Sequence, residues 1–230
     1  MGLMRVKKVY TDSGNRRVME INVLPSKFCT FKCVFCPIGQ TGEQTEQPFR
    51  FEETDAFLPG LAERIDAEKP DLLFINSMGE SFANDQLEEI IALAKRKNVQ
   101  VSLYTNGYLL GKPEFARIAF LCDEVSGEIK AANEASFQKL QRPLAGYNLE
   151  EYVQNMIRFR ENYNGRFNVY VTLIKGVNDD PDSIDWIRKT LLLLNPAAVV
   201  LETFTDEKFG KAFGVSEEKL EEIKQALIGK

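Results

Sequence analysis

Three of the four cysteines in this 230-residue chain fall close together, as Cys29, Cys33 and Cys36. Their C-x3-C-x2-C spacing puts three thiolates on one tight loop. Such ligands can each hold one iron of a [4Fe–4S] cluster. The fourth iron then lacks a protein ligand and is open to a substrate. Structural zinc usually takes four Cys or His ligands in two pairs, and the sequence has no histidine. The remaining cysteine, Cys122, is distant in the chain and reads as a buried thiol. A disulfide framework suits small secreted domains rather than a chain of this length. A chance cluster of free cysteines is the other alternative, because free Cys often simply packs in a core.

The elements that must position this loop follow from periodicity and punctuation. Residues 4–10 and 17–24 are rich in Val, Ile and Met around the turn signal Asp12-Ser13-Gly14-Asn15, which predicts an N-terminal hairpin. Its second arm alternates from Val18 to Leu24, becomes the first core strand and stops at Pro25. No hydrophobic period follows through 25–50, so the cysteines sit on one long, functional loop. Further strands are expected at 71–76, 99–104, 123–130, 166–174 and 197–203. Helices are expected within 53–69, where Pro59-Gly60 interrupts, and to about 97 from a cap at Asn84 or Asp85. Others are expected at 113–121 behind Pro113, and at 133–141, 149–163, 181–194 and 216–228. Six strands, each followed by helix, imply an α/β chain with parallel strands and right-handed crossovers. That is two units short of a (β/α)8 barrel. An open doubly wound sheet has the same alternation. In both, chemistry belongs at the C-terminal strand ends.

With 44% hydrophobic and 27% charged residues, the composition is that of a globular protein, and the length suits one domain. No apolar run of about 18 residues predicts a membrane span, and position six lacks the Ser or Thr of a myristoylation signal. The cytoplasm is the expected compartment, where reduced thiols suit a cluster. A formal charge of −5 argues against broad nucleic-acid binding. Arg5, Lys7, Lys8, Arg16 and Arg17 are set against only Asp12 in the first 17 residues; a solvated hairpin is expected.

With Phe35 directly before the third cysteine, the motif resembles that of the radical S-adenosylmethionine (SAM) superfamily. The resemblance implies a partial (β/α)6 barrel with a short N-terminal hairpin extension, as one domain over 1–230. The hairpin would take about 1–17, the barrel core about 18–205 and a C-terminal helix about 206–230. It implies a [4Fe–4S] cluster and SAM as cofactors. In that superfamily the open iron chelates the amino and carboxylate groups of SAM. An electron from the cluster then cleaves SAM to methionine and a 5′-deoxyadenosyl radical.

Other segments at the strand ends carry the resemblance further. Asn76-Ser77-Met78-Gly79-Glu80-Ser81 is similar to the family's Gly-Gly-Glu motif, with Met78 replacing the first glycine. There the backbone at Gly79 and the carboxylate of Glu80 would meet the SAM amino group, a carboxylate facing an ammonium. Thr105-Asn106-Gly107 matches a family element, though Asn-Gly alone is also a turn signal. Glu128 and Lys130, two apart, share a strand face. Inside a barrel such charges need partners, while at a surface strand end they need none. Glu128-Ile129-Lys130 resembles the Asp-Leu-Lys of glycyl-radical activating enzymes, whose lysine binds SAM. Gln141-Arg142-Pro143 resembles an Arg-Pro element, which would let Arg142 neutralise the SAM carboxylate. Val171 to Asp179 matches a pattern in which the strand end, here Ile174, packs on adenine and Asn178 contacts the ribose. Glu202 and Thr203 lie beyond what SAM needs and are candidates for substrate contact.

The pattern is most similar to iron–sulfur oxidoreductases related to wyosine-type tRNA-modifying synthases. Leu24-Pro25-Ser26-Lys27, Arg142-Pro143 and Leu173 to Asp179 are shared, within a likeness over most of 18–205. The synthases use a second cluster, for which this chain has too few cysteines. The activity implied is SAM cleavage followed by hydrogen abstraction from an unidentified small molecule, peptide or protein. An electron donor such as flavodoxin or ferredoxin would be the partner. A glycyl-radical activase or a wyosine-like tRNA-modifying enzyme is one alternative and a non-enzymatic electron carrier another, although carriers normally close all four ligands with cysteine.

Overall fold

The computed structural model describes residues 4–228; Met1 to Leu3, part of the expected hairpin extension, and Gly229 and Lys230 lie outside the described residues. Seven strands form one sheet in chain order. They are β1 Arg5–Thr11, β2 Arg17–Asn22, β3 Leu72–Ile75, β4 Gln100–Tyr104, β5 Glu124–Ile129, β6 Arg166–Leu173 and β7 Ala198–Thr203. β1 is antiparallel to β2, and every later pair is parallel. The crossovers carry α1 Glu52–Glu68, α2 Leu87–Arg96, α3 Pro113–Ala119, α4 Glu134–Ser136, α5 Leu149–Asn162 and α6 Pro181–Leu194, and α7 Glu217–Ile228 follows β7. A doubly wound sheet reverses its strand order at a switch point. This sheet does not reverse, so right-handed crossovers put the helices on one face. The sheet curls into a half barrel, the partial (β/α)6 form with an added hairpin.

Strand alternation divides the sheet chemically. Met19 and Ile21, Leu73 and Ile75, Val101 and Leu103, Val125, and Val169 and Val171 are fully buried in the core. Their neighbours along each strand face the lumen and are largely polar. One row crosses the sheet as Glu20, Phe74, Ser102 and Glu124, and higher ones as Tyr104, Ser126 and Asn168, or Glu128 and Tyr170. The hydrophobic drive therefore acts from outside the barrel and leaves the lumen for chemistry.

Four expectations are corrected. α1 runs unbroken through Pro59, which is exposed, so water can satisfy the Asp55 carbonyl that loses its donor. Asn84 leads into α2 through a turn rather than capping it directly, its Oδ1 accepting from Gln86 N at 2.9 Å. Its Nδ2 donates to Val23 O at 2.8 Å and Thr54 Oγ1 at 3.0 Å, and α2 begins only at Leu87. The helix expected at 133–141 is one turn of α4 continued by a π-helical turn, Phe137–Gln141. The basic hairpin is not simply solvated. A bulge between Val6 and Lys8 breaks the β1–β2 register, so Lys7 and Lys8 both reach Glu20, at 2.5 and 3.2 Å. Arg16 reaches Glu124 at 2.6 Å, and Arg17 pairs with Glu68.

The two-faced sheet predicts unequal costs for adjacent residues of β4. Leu103→Ala should lose about 2–5 kcal/mol of unfolding free energy, and Ser102→Ala no more than about 1 kcal/mol. Urea denaturation of both variants checks this.

Candidate active site

The cysteine loop has little structure of its own, so its backbone polar groups bond to neighbouring segments. Phe28–Cys29 pairs in parallel with Glu43–Gln44. Val34 N donates to Leu140 O at 2.8 Å, Lys32 N to Gln141 O and Arg142 O at 3.1 Å, and Leu144 N to Thr30 O at 3.0 Å. On the other side Glu80 N donates to Phe28 O at 2.7 Å. Gly79 makes that approach possible: its φ is +145°, and a Cβ there would lie 2.1 Å from Phe28 O.

Cys29, Cys33 and Cys36 line one cavity of about 450 Å³ beside the strand ends, together with Phe35, Gly79, Asn106, Glu128, Lys130 and Glu202. All three are free thiols. Burial pushes the Cys29 thiol up to about 12, with Glu80 adding to the rise. Burial also raises Cys33. Among the described residues no three Cys, Asp or Glu side chains converge as a single-ion site. Three free thiols on one cavity wall are the donor set that such a cluster takes, one iron each.

Glu80 is 1% exposed. Its Oε2 accepts from Thr105 Oγ1 at 2.9 Å and Asn106 N at 3.0 Å. Its Oε1 is buried without a hydrogen-bond partner. Burial pushes the carboxyl up to about 7 against those two donors and the nearby backbone N–H of Phe82, which lies outside hydrogen-bond geometry for Oε1. Thr105 is thus buried behind the wall, holding Glu80. Asn106 lines the cavity, and its Nδ2 donates to Thr30 Oγ1 at 2.8 Å, tying the third strand end to the cysteine loop.

Glu128 and Lys130 both line the cavity. Lys130 Nζ is 2.6 Å from Glu128 Oε2, which also accepts from Tyr104 OH at 2.8 Å. Burial works against the ammonium, but Glu128 and Cys33 outweigh it and Lys130 is raised. Lys130 Nζ also stands 6.0 Å from the Phe35 ring centroid.

Other expected residues lie elsewhere. Arg142 is exposed and absent from the cavity wall. Its backbone is the functional part: a left-handed φ of 46° ends the π-helical turn, and its carbonyl accepts from Lys32 N and from Gln44 Nε2. Ile174 is fully buried behind the wall, in one cluster with Phe209 and the wall residue Phe35. Asn178 is consumed by backbone: Oδ1 accepts from Ile174 N at 2.6 Å, and Nδ2 donates to Thr172 O at 2.9 Å and Lys130 O at 3.2 Å. It is fully buried among those groups. Thr203 bonds Leu173 O, whereas Glu202 does line the cavity. Sequence reasoning missed Lys7, Lys27, Phe74, Tyr104 and Tyr170 in that wall. Alternation from Glu20 and Glu128 signals the three aromatics; the bulge hides Lys7.

Residues 23–187 match the family model of the radical SAM superfamily. The chain belongs to this superfamily. Its members are enzymes, and membership implies a [4Fe–4S] cluster and SAM as cofactors. The chain is 26% identical over 188 residues to a UPF0026 protein of Methanocaldococcus jannaschii, covering 80% of this chain and 59% of that one. It is 25% identical over 228 residues to a protein of Brachyspira hyodysenteriae named GTPase Obg, covering 96% of this chain and 34% of that one. It therefore spans 59% and 34% of the length of these relatives, less than two thirds of each. In fold it is similar to a structure of TYW1 with a lysine–pyruvate adduct bound, at TM-score 0.67 and 16% identity, covering 91% of this chain and 72% of that one. A radical SAM methyltransferase from Sphaerobacter thermophilus gives TM-score 0.65 at 16% identity, covering 99% and 74%.

Glu80 makes stability depend on pH in the cluster-free radical SAM chain. Its folded carboxyl titrates near 7 against an ordinary 4.5, so the folded state holds a proton that the unfolded state has lost. Stability from this group is full below 4.5 and is lost as pH rises towards 7, by about 1.4 kcal/mol per pH unit at most. Glu80→Gln removes the titration. Its melting temperature should gain on the parent's from pH 5 to pH 8; a constant difference would contradict the burial argument.

Proposed function

We propose that the chain holds a [4Fe–4S] cluster on Cys29, Cys33 and Cys36, binds SAM beside it, and cleaves SAM to begin hydrogen abstraction from a further substrate. The observation that carries this is the free oxygen of Glu80. A buried acceptor without a donor is costly, and the amino group of SAM supplies one beside the cysteines. When bound, the cluster supplies the electron that splits SAM into methionine and the 5′-deoxyadenosyl radical. The protein's own part is to bind, orient and exclude water. Gly79 and Glu80 receive the amino group. Lys130, steadied by Glu128 and Tyr104, offers its ammonium to the carboxylate or ribose. Asn106 holds the Thr30 end of the loop in place. Ile174 and Asn178 brace the wall from behind. Glu202, which accepts from Thr172 Oγ1 at 2.8 Å, and Tyr170 border the space left for the substrate.

A flavodoxin- or ferredoxin-like donor would deliver the electron, in a reducing compartment such as the cytoplasm. A second reading, activation of a glycyl-radical protein, is favoured by the Glu128–Lys130 pair. It is distinguished by a glycyl-radical signal on a partner protein.

Anaerobic reconstitution followed by dithionite and SAM should yield 5′-deoxyadenosine. Cys33→Ala should lose the iron, and Cys122→Ala should keep it. Lys130→Met should keep its iron while SAM cleavage falls about tenfold or more, the worth of one charge-assisted hydrogen bond. No 5′-deoxyadenosine from well-loaded protein would remove the proposal; full cleavage by Lys130→Met would remove only that residue.

A further inference from the structure

Lys27 is 7% exposed, two residues before the first iron ligand. Lysine is almost never buried this far without an anionic partner. The cavity's other lysines have theirs: Lys7 pairs with Glu20 and Lys130 with Glu128. Among the described residues no carboxylate lies within ion-pair distance of Lys27. Its Nζ donates only to the carbonyl of Gly39. That carbonyl lies just beyond Cys36, and Gly39 N donates to Cys36 O at 3.0 Å. The loop then returns to the Lys27 backbone, where Glu43 N donates to Lys27 O at 2.9 Å. Gly42 is pressed so close that a Cβ would lie 2.5 Å from Lys27 O and 2.8 Å from Lys27 Cβ. Lys27 therefore fastens both ends of the cysteine loop and lines the cavity that the three thiols share.

We propose that Lys27 is a positioning residue whose buried ammonium is the counter-charge of the cluster and raises its reduction potential. Three thiolates bring negative charge into a poorly solvated pocket, and one-electron reduction adds more. A fixed cation beside them stabilises the reduced state over the oxidised one. Cluster potentials respond to net charge, hydrogen bonding and solvent exposure in this way. The buried ammonium and the cluster then answer each other's desolvation, and Lys27 needs no carboxylate.

The test is the midpoint potential of the anaerobically reconstituted full chain, followed by EPR during redox titration. Lys27→Met keeps the stem and removes the charge. Lys27→Gln can still donate to a carbonyl, and Lys27→Arg keeps the charge. In Met and Gln variants that load iron fully, the reduced-to-oxidised ratio at a fixed potential should fall about tenfold, a shift of about 59 mV downward for a one-electron couple. The Arg variant should stay near the parent value. An unchanged potential in fully loaded Lys27→Gln or Lys27→Met overturns the proposal. Iron loading by the Arg variant but by neither neutral one supports it, because only the charge separates them. Loss of iron in all three variants overturns it in favour of simple packing. Parallel loading of the parent chain, with loss in Cys33→Ala, tests the cluster assignment separately.

Discussion

A loop that presents three cysteines to one cavity cannot spend its backbone on a regular element of its own. Its amides and carbonyls still need partners, and everything around the site is arranged to provide them. The π-helical turn ends where its last carbonyls can accept from Lys32 and Val34. Gly79 lacks a side chain so that the segment carrying Glu80 can reach Phe28 O. The same contacts that hold the loop thus bring Glu80 to its edge. Cavity residues and loop supports are one network here, and Asn106 belongs to both parts of it.

The second constraint is the division of the sheet. Apolar side chains on the outer face pack under the helices and stabilise the fold without entering the lumen. The lumen can then carry Glu20, Tyr104, Glu128, Lys130 and Tyr170, groups that would be costly in an ordinary core. Their cost is limited by mutual pairing. Tyr104 and Lys130 both bond Glu128, while Lys7, Lys8 and Asn76 converge on Glu20. The N-terminal strand is part of this arrangement, since its bulge aims Lys7 into the cavity.

The sheet order and the cysteine cavity were legible in the sequence because both rest on local signals, strand alternation and close spacing. Glu128 and Lys130 were legible for the same reason, being two apart on one strand. For Arg142 and Asn178 the motif names residues without saying whether backbone or side chain is engaged. Arg142 serves through its carbonyl and its left-handed turn. The Asn178 amide is used up by three backbone groups. Pro59 misled because a helix breaker on a wet face costs far less than one inside. Lys27 stood in a matching segment, but its burial and its lack of a carboxylate exist only in three dimensions.

The central claim is that three thiolates hold a cluster whose fourth iron is left to SAM. Mössbauer spectra of the chain reconstituted with isotopically enriched iron test it directly. Four irons per chain should appear, one distinct from the rest, and SAM should shift that one while leaving the other three in place. Four equivalent irons that ignore SAM, or no four-iron species in well-loaded protein, would contradict the account.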